Sequence, residues 1–227
     1  ILVAEAQENN LDGERWSSRW LRWCTCSLCE QQYHGVVACA LGWACWKTYL
    51  GRAEGDQVRG AAMGQLSNGF CIVHQYAEAL SVQEALLSSH QRLGATHASI
   101  LALQSNLAAT YHALRRFEEA LRMRRDVYSG RLKLSGEEHR YTILAANNYS
   151  ASLVGLQRFE EAKSLLHKTM PVARRALGES DDLTLRMRWN YAEALYENPA
   201  STLDDLREAV TTVEDGARTA RRVFGGA

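Results

Sequence analysis

Proline is almost missing: Pro171 and Pro199 are the only two in 227 residues. A chain with so few helix breakers suits helices and leaves little for extended linkers. Neither sign of charge is in excess, with 26 Lys and Arg against 26 Asp and Glu. That balance argues against general binding to nucleic acid or a membrane surface. Long hydrophobic runs are lacking as well. The longest, Val36 to Trp46, has eleven residues, whereas a span needs about 20, so it reads as a buried core helix. Cysteine is absent after Cys71. Cys24, Cys26, Cys29, Cys39, Cys45 and Cys71 crowd the first third, and a secreted disulfide scaffold would be shorter and would spread them. Reduced thiols in an intracellular compartment are expected. The cytoplasm comes first and an organelle second, because the chain begins at Ile1 rather than Met, reads as a fragment or processed form, and hides any targeting peptide. No nucleophile elbow, phosphate loop or dinucleotide fingerprint occurs. Catalytic residues, cofactors and enzymatic activity are not expected.

What the chain does have is an echo every 42 residues. Arg116-Phe117-Glu118-Glu119-Ala120 returns as Arg158-Phe159-Glu160-Glu161-Ala162. Asn106-Leu107 returns as Asn148-Tyr149 and Asn190-Tyr191, and Gly94, Gly136 and Gly178 keep the same step. A fixed period in this range signals a stacked array, in which each unit buries the face its neighbour cannot.

Within the echo, Ile100, Leu103, Leu107, Tyr111 and Leu114 fall on one helical face, and a second amphipathic stretch starts at Phe117. Only Arg115 and Arg116 separate them, so the two helices form an antiparallel hairpin. The pair recurs at about 141–156 and 159–177. A degraded copy starts near Gln57, a helix is expected over 33–49, and Trp16 to Glu30 is read as its partner. The last pair ends on the regular stripe Leu203, Leu206, Val210, Val213, Ala217, Ala220 and Phe224. Thr202 and Asp205 have capping-box spacing, Gly225 and Gly226 supply a stop, and Gly216 suggests close packing. The expected fold is all-α: a right-handed α-solenoid of about five antiparallel helix pairs. A divergent Trp- and Cys-rich helical pair (1–56) would precede an array over 57–227, divided as 57–92, 93–134, 135–176 and 177–227.

Leu107-Ala108-x-x-Tyr111 on the first helix and the small Ala120 on the second resemble the tetratricopeptide repeat. The 42-residue step resembles the kinesin light chain type. That type reads Gly-x-x-His-Pro-x-Thr-Leu before Asn-Leu-Ala, and Gly136-Glu137-Glu138-His139-Arg140-Tyr141-Thr142-Ile143 precedes Asn148-Tyr149 here. Gly178, Thr184 and Leu185 hold in the next copy with Asp181 in place of His. Gly94 and His97 hold in the earlier one. Ala98, Arg140 and Asp182 replace the Pro throughout. Residues Thr202 to Gly226 look like the closing repeat of kinesin-light-chain-like proteins of unicellular algae. No heptad coiled coil for a motor partner is present. The resemblance implies first helices lining a concave groove and second helices a convex face.

On that basis Asn106, Asn148 and Asn190 are the sharpest candidates. An amide offers both donor and acceptor to a peptide backbone, and Ser105, Asn147, Arg186 and Trp189 stand beside them. The same amides could instead tie neighbouring repeats together. Cys24-x-Cys26-x-x-Cys29 has thiolate spacing, with His34 and Cys39 nearby, but a structural zinc site wants four ligands. Buried filler is the plainer reading, and no metal is expected. Trp16, Trp20, Trp23, Trp43 and Trp46 read either as an aromatic core or as a docking surface. The arginines at 122, 124, 125, 174, 175, 218, 221 and 222 read as a solvated convex face. The expected function is a scaffold for a peptide segment or partner protein in the groove. The rival is a structural subunit of a larger, possibly organellar assembly that docks through its N-terminal third.

Overall fold

Glycine at the 42-residue step answers a backbone requirement. In the computed structural model, which describes residues 19–225, Gly94, Gly136 and Gly178 adopt φ of +67°, +78° and +96°, a region that costs other residues. Gly136 and Gly178 close the helices before them, and Gly94 lies two residues beyond one. Left-handed positions recur at His74, Arg115 and Gln157, each in a short connection between consecutive helices.

The chain divides into two compact units, one ending at Leu114 and the other starting at Arg115. The first holds α1 (Gly35–Tyr49), α2 (Gln57–Ile72), α3 (Tyr76–Arg92) and α4 (His97–Ala113). Asp56 caps α2 by accepting from the backbone N–H of Val58 and Arg59 at 2.8 and 3.1 Å, and Thr96 caps α4 through Ser99. The α1–α2 contact is unusually close. A Cβ on Gly42 would sit 2.8 Å from the Gln65 carbonyl oxygen, and one on Gly69 would sit 2.9 Å from Cys39 Cα. Around this crossing lie the cores of Cys45, Tyr49, Val58 and Ala62, and of Leu66, Phe70 and Ala79.

The expected helix over 16–30 is not continuous. Arg19 to Leu21 is helical, 22–34 runs as turns with an isolated Thr25–Gln32 bridge, and Trp16 lies outside the described residues. The physical reason is local. Backbone bonds from Cys26 to Gln31 and from Tyr33 to Cys24 fold the segment back on itself, with Glu30 in the left-handed region.

The second unit holds α5 (Phe117–Ser135), α6 (Arg140–Gly155), α7 (Phe159–Leu177), α8 (Asp182–Tyr196) and α9 (Leu203–Phe224). Its main core joins Ile143, Leu166, Leu183, Met187, Tyr191 and Leu195. A second core joins Leu121, Leu153, Val154, Phe159, Ala162 and Ala194. Ala120 and Ala162, the small residues of the echo, are fully buried. Truncating Leu166 or Met187 to Ala would cost about 2–5 kcal/mol. The capping box at α9 is present: Thr202 Oγ1 accepts from the Asp205 N–H while Asp205 accepts from Thr202. Gly225 closes this helix, and Gly226 lies outside the described residues. Gly216 differs from expectation, since a Cβ there would meet nothing within 4 Å.

The fold is thus all-α, built of antiparallel helix pairs of the solenoid kind. No described helix is long and apolar enough to cross a membrane.

Candidate partner-binding face

The face of interest is built from α6 and α8, which run parallel and in register. Both begin on a side-chain cap at the position where the echo changes from His to Asp. His139 Nδ1 accepts from the Tyr141 N–H and Asp181 Oδ1 from the Leu183 N–H. In the earlier copy Thr96 is the cap and His97 the first helical residue. Arg140 reaches from the start of α6 to Asp181 at 2.6 Å and Asp182 at 3.1 Å. The hydrogen bond from Arg140 holds the Asp181 carboxyl below the usual carboxylate range.

Two turns on, the amides meet. Asn190 Nδ2 donates to Asn147 Oδ1 at 3.1 Å, with longer contacts to the Asn147 carbonyl and Ser150 Oγ. Asn147 Nδ2 in turn approaches Asn148 Oδ1 at 3.5 Å. Asn147 is buried, while Asn148 and Asn190 are half-buried. The row therefore ties α6 to α8, and Asn147 is its centre. After those bonds Asn190 Oδ1 and Asn148 Nδ2 have no partner among the described residues. Trp189 stands beside the row with 62% of its surface exposed, and the exposed Arg186 pairs with Asp182 at 3.1 Å. Asn106 and Ser105 belong to α4 of the first unit, where Asn106 is exposed and Ser105 half-buried.

Arg124 does not lie on a solvated face. Its guanidinium donates to the Asn148 carbonyl at 3.2 Å and to Ser152 Oγ, joining α5 to α6 beneath the row. Burial pushes its pKa down. Arg122 and Arg125 are exposed, and only the packing sets Arg124 apart. Arg174, Arg175 and Arg218 do sit at the surface, paired with Glu179, Glu138 and Asp215.

Sequence reasoning missed an open groove between α8 and α9. One stretch of about 580 Å³ is lined by Trp189, Tyr196, Leu206, Val210 and Val213 among others. A second stretch of about 260 Å³ shares Trp189 and Val213 and runs past Arg188 and Gly216. Gly216 opens this groove where its sequence position suggests close packing. The apolar stripe of α9 is visible in the sequence, but not that part of it stays uncovered.

Of the N-terminal tryptophans, Trp20 and Trp23 pack on Tyr49 with ring centroids 6.0 and 6.4 Å away. Trp46 is half-buried with the Arg59 guanidinium 5.7 Å from its ring. Trp43 meets Phe70 edge-on and keeps 43% exposure. The thiols differ. Backbone hydrogen bonds, from Cys29 first and then Leu28, hold Cys26 below its ordinary value, while burial pushes Cys45 up to about 12. Among the described residues, no three His, Cys, Asp or Glu side chains converge as a metal-ligand set.

Residues 100–141 and 142–182 match the tetratricopeptide repeat family model. These two segments are tetratricopeptide repeats, and the resemblance to the kinesin light chain type extends to solved structures. A crystal structure described as Podosopora anserina putative kinesin light chain nearly identical TPR-like repeats superposes with a TM-score of 0.65 at 18% identity, covering 98% of this chain and 93% of that one. A point variant of those same repeats gives 0.67 at 18% identity, over 99% and 94%. BtubC (BKLC) from P. vanneervenii gives 0.70 at 18% identity, over 83% of this chain and 74% of that one. At this identity the likeness is one of fold. No curated protein sequence matches the chain.

Proposed function

We propose that this chain is a non-catalytic protein-interaction scaffold that holds a segment of a partner protein against the α6–α8 face. The observation that carries the reading is the amide row. Asn190 spends its N–H on Asn147 and Ser150, which fixes the amide plane and leaves Oδ1 open beside the open Nδ2 of Asn148. A fixed acceptor and a fixed donor suit a peptide backbone, because their ordering cost is met on folding rather than on binding. Tetratricopeptide repeats are protein-interaction modules, and protein partners follow from them. Balanced charge argues against nucleic acid, and free thiols suit an intracellular setting. A single short segment would bind with Kd on the order of micromolar, about −8 kcal/mol.

The test is selection of a random peptide library on the whole protein, followed by titration of the selected peptides against Asn148→Ala and Asn190→Ala. A loss of about tenfold, near 1.4 kcal/mol, is expected from each. Unchanged affinity in variants of native circular dichroism would refute the amide-row mechanism. A second reading, docking of the N-terminal third into a larger assembly, is favoured by Val36, Val37 and Trp43, exposed together on α1. Binding partners lost on Trp43→Ala but kept on Asn148→Ala would select it.

A further inference from the structure

We propose that the open face of α8 and α9 is a second docking site, for an amphipathic helix of a partner protein with an acidic residue over Arg188 and basic residues over Glu193 and Glu197. The preceding pair supplies the template. A 42-residue step carries Ile143, Asn147, Ser150 and Val154 onto Leu185, Trp189, Ala192 and Tyr196. On α6 these positions are covered. Ile143 shares a core with Leu183 and Met187, Val154 with Ala194, and Asn147 and Ser150 receive the Asn190 N–H. On α8 the matching positions front the groove, where Trp189 and Tyr196 expose 62% and 73% of their surface. From α9, Val210 and Val213 expose 57% and 40%. Exposed apolar surface of this continuity marks an interface.

The template also gives the occupant's form. What covers α6 is a helix running parallel to it, as the Arg140–Asp182 and Asn147–Asn190 contacts show at two levels. From Leu185 to Tyr196 the groove spans about 16 Å, or three helical turns.

Charge decides the occupant's polarity. Glu193 and Glu197 line one end, and neither pairs with a cation among the described residues. Burial, and then the nearby Glu197, push the Glu193 carboxyl up, and a cation beside the two carboxylates offsets their mutual repulsion. Arg188 lines the other end. It is only 7% exposed, its Nε lacks a hydrogen-bond partner, and its Nη1 lies 3.3 Å from Glu179 Oε2. A buried guanidinium with an unused donor calls for a further acceptor. A helix parallel to α8 meets Arg188 with its first turn and the glutamates with its last. Acid first and base last is the order its own dipole favours.

Two fluorescein-labelled helical peptides test this on the whole protein. Both carry a Leu/Ala face; one has Glu in its first turn and Lys in its last, and the other exchanges them. By anisotropy the first should bind about tenfold tighter. Glu193→Lys combined with Glu197→Lys should reverse that preference. Val210→Asp should weaken both peptides by about tenfold or more while leaving circular dichroism unchanged, because Val210 is exposed. Equal binding of the two peptides, or a preference that survives charge reversal, overturns the proposal. So does a concentration-dependent dimer of the protein alone that Val210→Asp abolishes, which would make a second copy the occupant. Asn148→Ala should not move these affinities, so failure of this site and of the amide row can be told apart.

Discussion

Changing Gly69 to Ala and Gly216 to Ala are the same chemical substitution in two helices, and the structure gives them opposite signs. In a helix interior, Ala is favoured over Gly by about 1 kcal/mol. At Gly216 nothing lies within 4 Å of the added methyl, so that gain is kept. At Gly69 the methyl meets Cys39 Cα at 2.9 Å and the Ala38 carbonyl oxygen at 3.2 Å. Both are backbone atoms, which cannot rotate away. Overpacking of this kind costs about 1–3 kcal/mol, and separating α1 from α2 also disturbs Leu66 and Phe70. Subtracting the gain of about 1 kcal/mol leaves a net loss of up to about 2 kcal/mol at Gly69, set against a gain of about 1 kcal/mol at Gly216. Thermal unfolding followed by circular dichroism reads both. The transition of the first unit should fall by several degrees for Gly69→Ala, and that of the second should rise by a few for Gly216→Ala. A Gly69→Ala protein stabilised as Gly216→Ala is would refute the close α1–α2 crossing.

Replacing Arg124 with Met keeps the apolar stem but removes its bonds to the Asn148 carbonyl and Ser152; chemical denaturation should show the second unit weakened by about 2 kcal/mol. Alkylation by iodoacetamide, mapped by mass spectrometry, should modify Cys26 and Cys29 early and Cys45 last, since Cys45 is buried with its pKa raised to about 12 and Cys26 is shifted down. Asp181 and Asp205 are held below the usual carboxylate range by Arg140 and Lys163 respectively. Their stabilisation is therefore complete above about pH 4 and is lost as pH falls through the depressed folded values. The denaturation midpoint of the second unit should drop in acid, and Asp205→Asn should flatten that dependence.

The repeat period makes most of the fold legible, because stacking imposes the same contact every 42 residues. Gly94, Gly136 and Gly178 can be read from spacing alone, and their positive φ explains why the residue is Gly. The Thr202–Asp205 box is equally visible, since capping is a local arrangement of four residues. What the period does not carry depends on neighbours. Arg124 has the sequence context of a surface arginine, and its burial comes from Asn148 and Ser152 on the next helix. The segment after Leu21 carries helix-compatible residues but folds back through its own backbone bonds. Asn147 reads as secondary to Asn148, yet it is the residue Asn190 grips. Gly216 shows the limit most plainly, because sequence cannot tell a glycine that admits a neighbour from one that leaves a gap.

The amide row is best tested by nuclear magnetic resonance of the Asn148 and Asn190 side-chain amides, with and without a peptide selected on the native protein. Titration should shift both NH2 signals and slow the solvent exchange of Asn148 Nδ2, at concentrations matching the measured affinity. Side-chain amide signals that stay unmoved at saturation would contradict a partner held on this face.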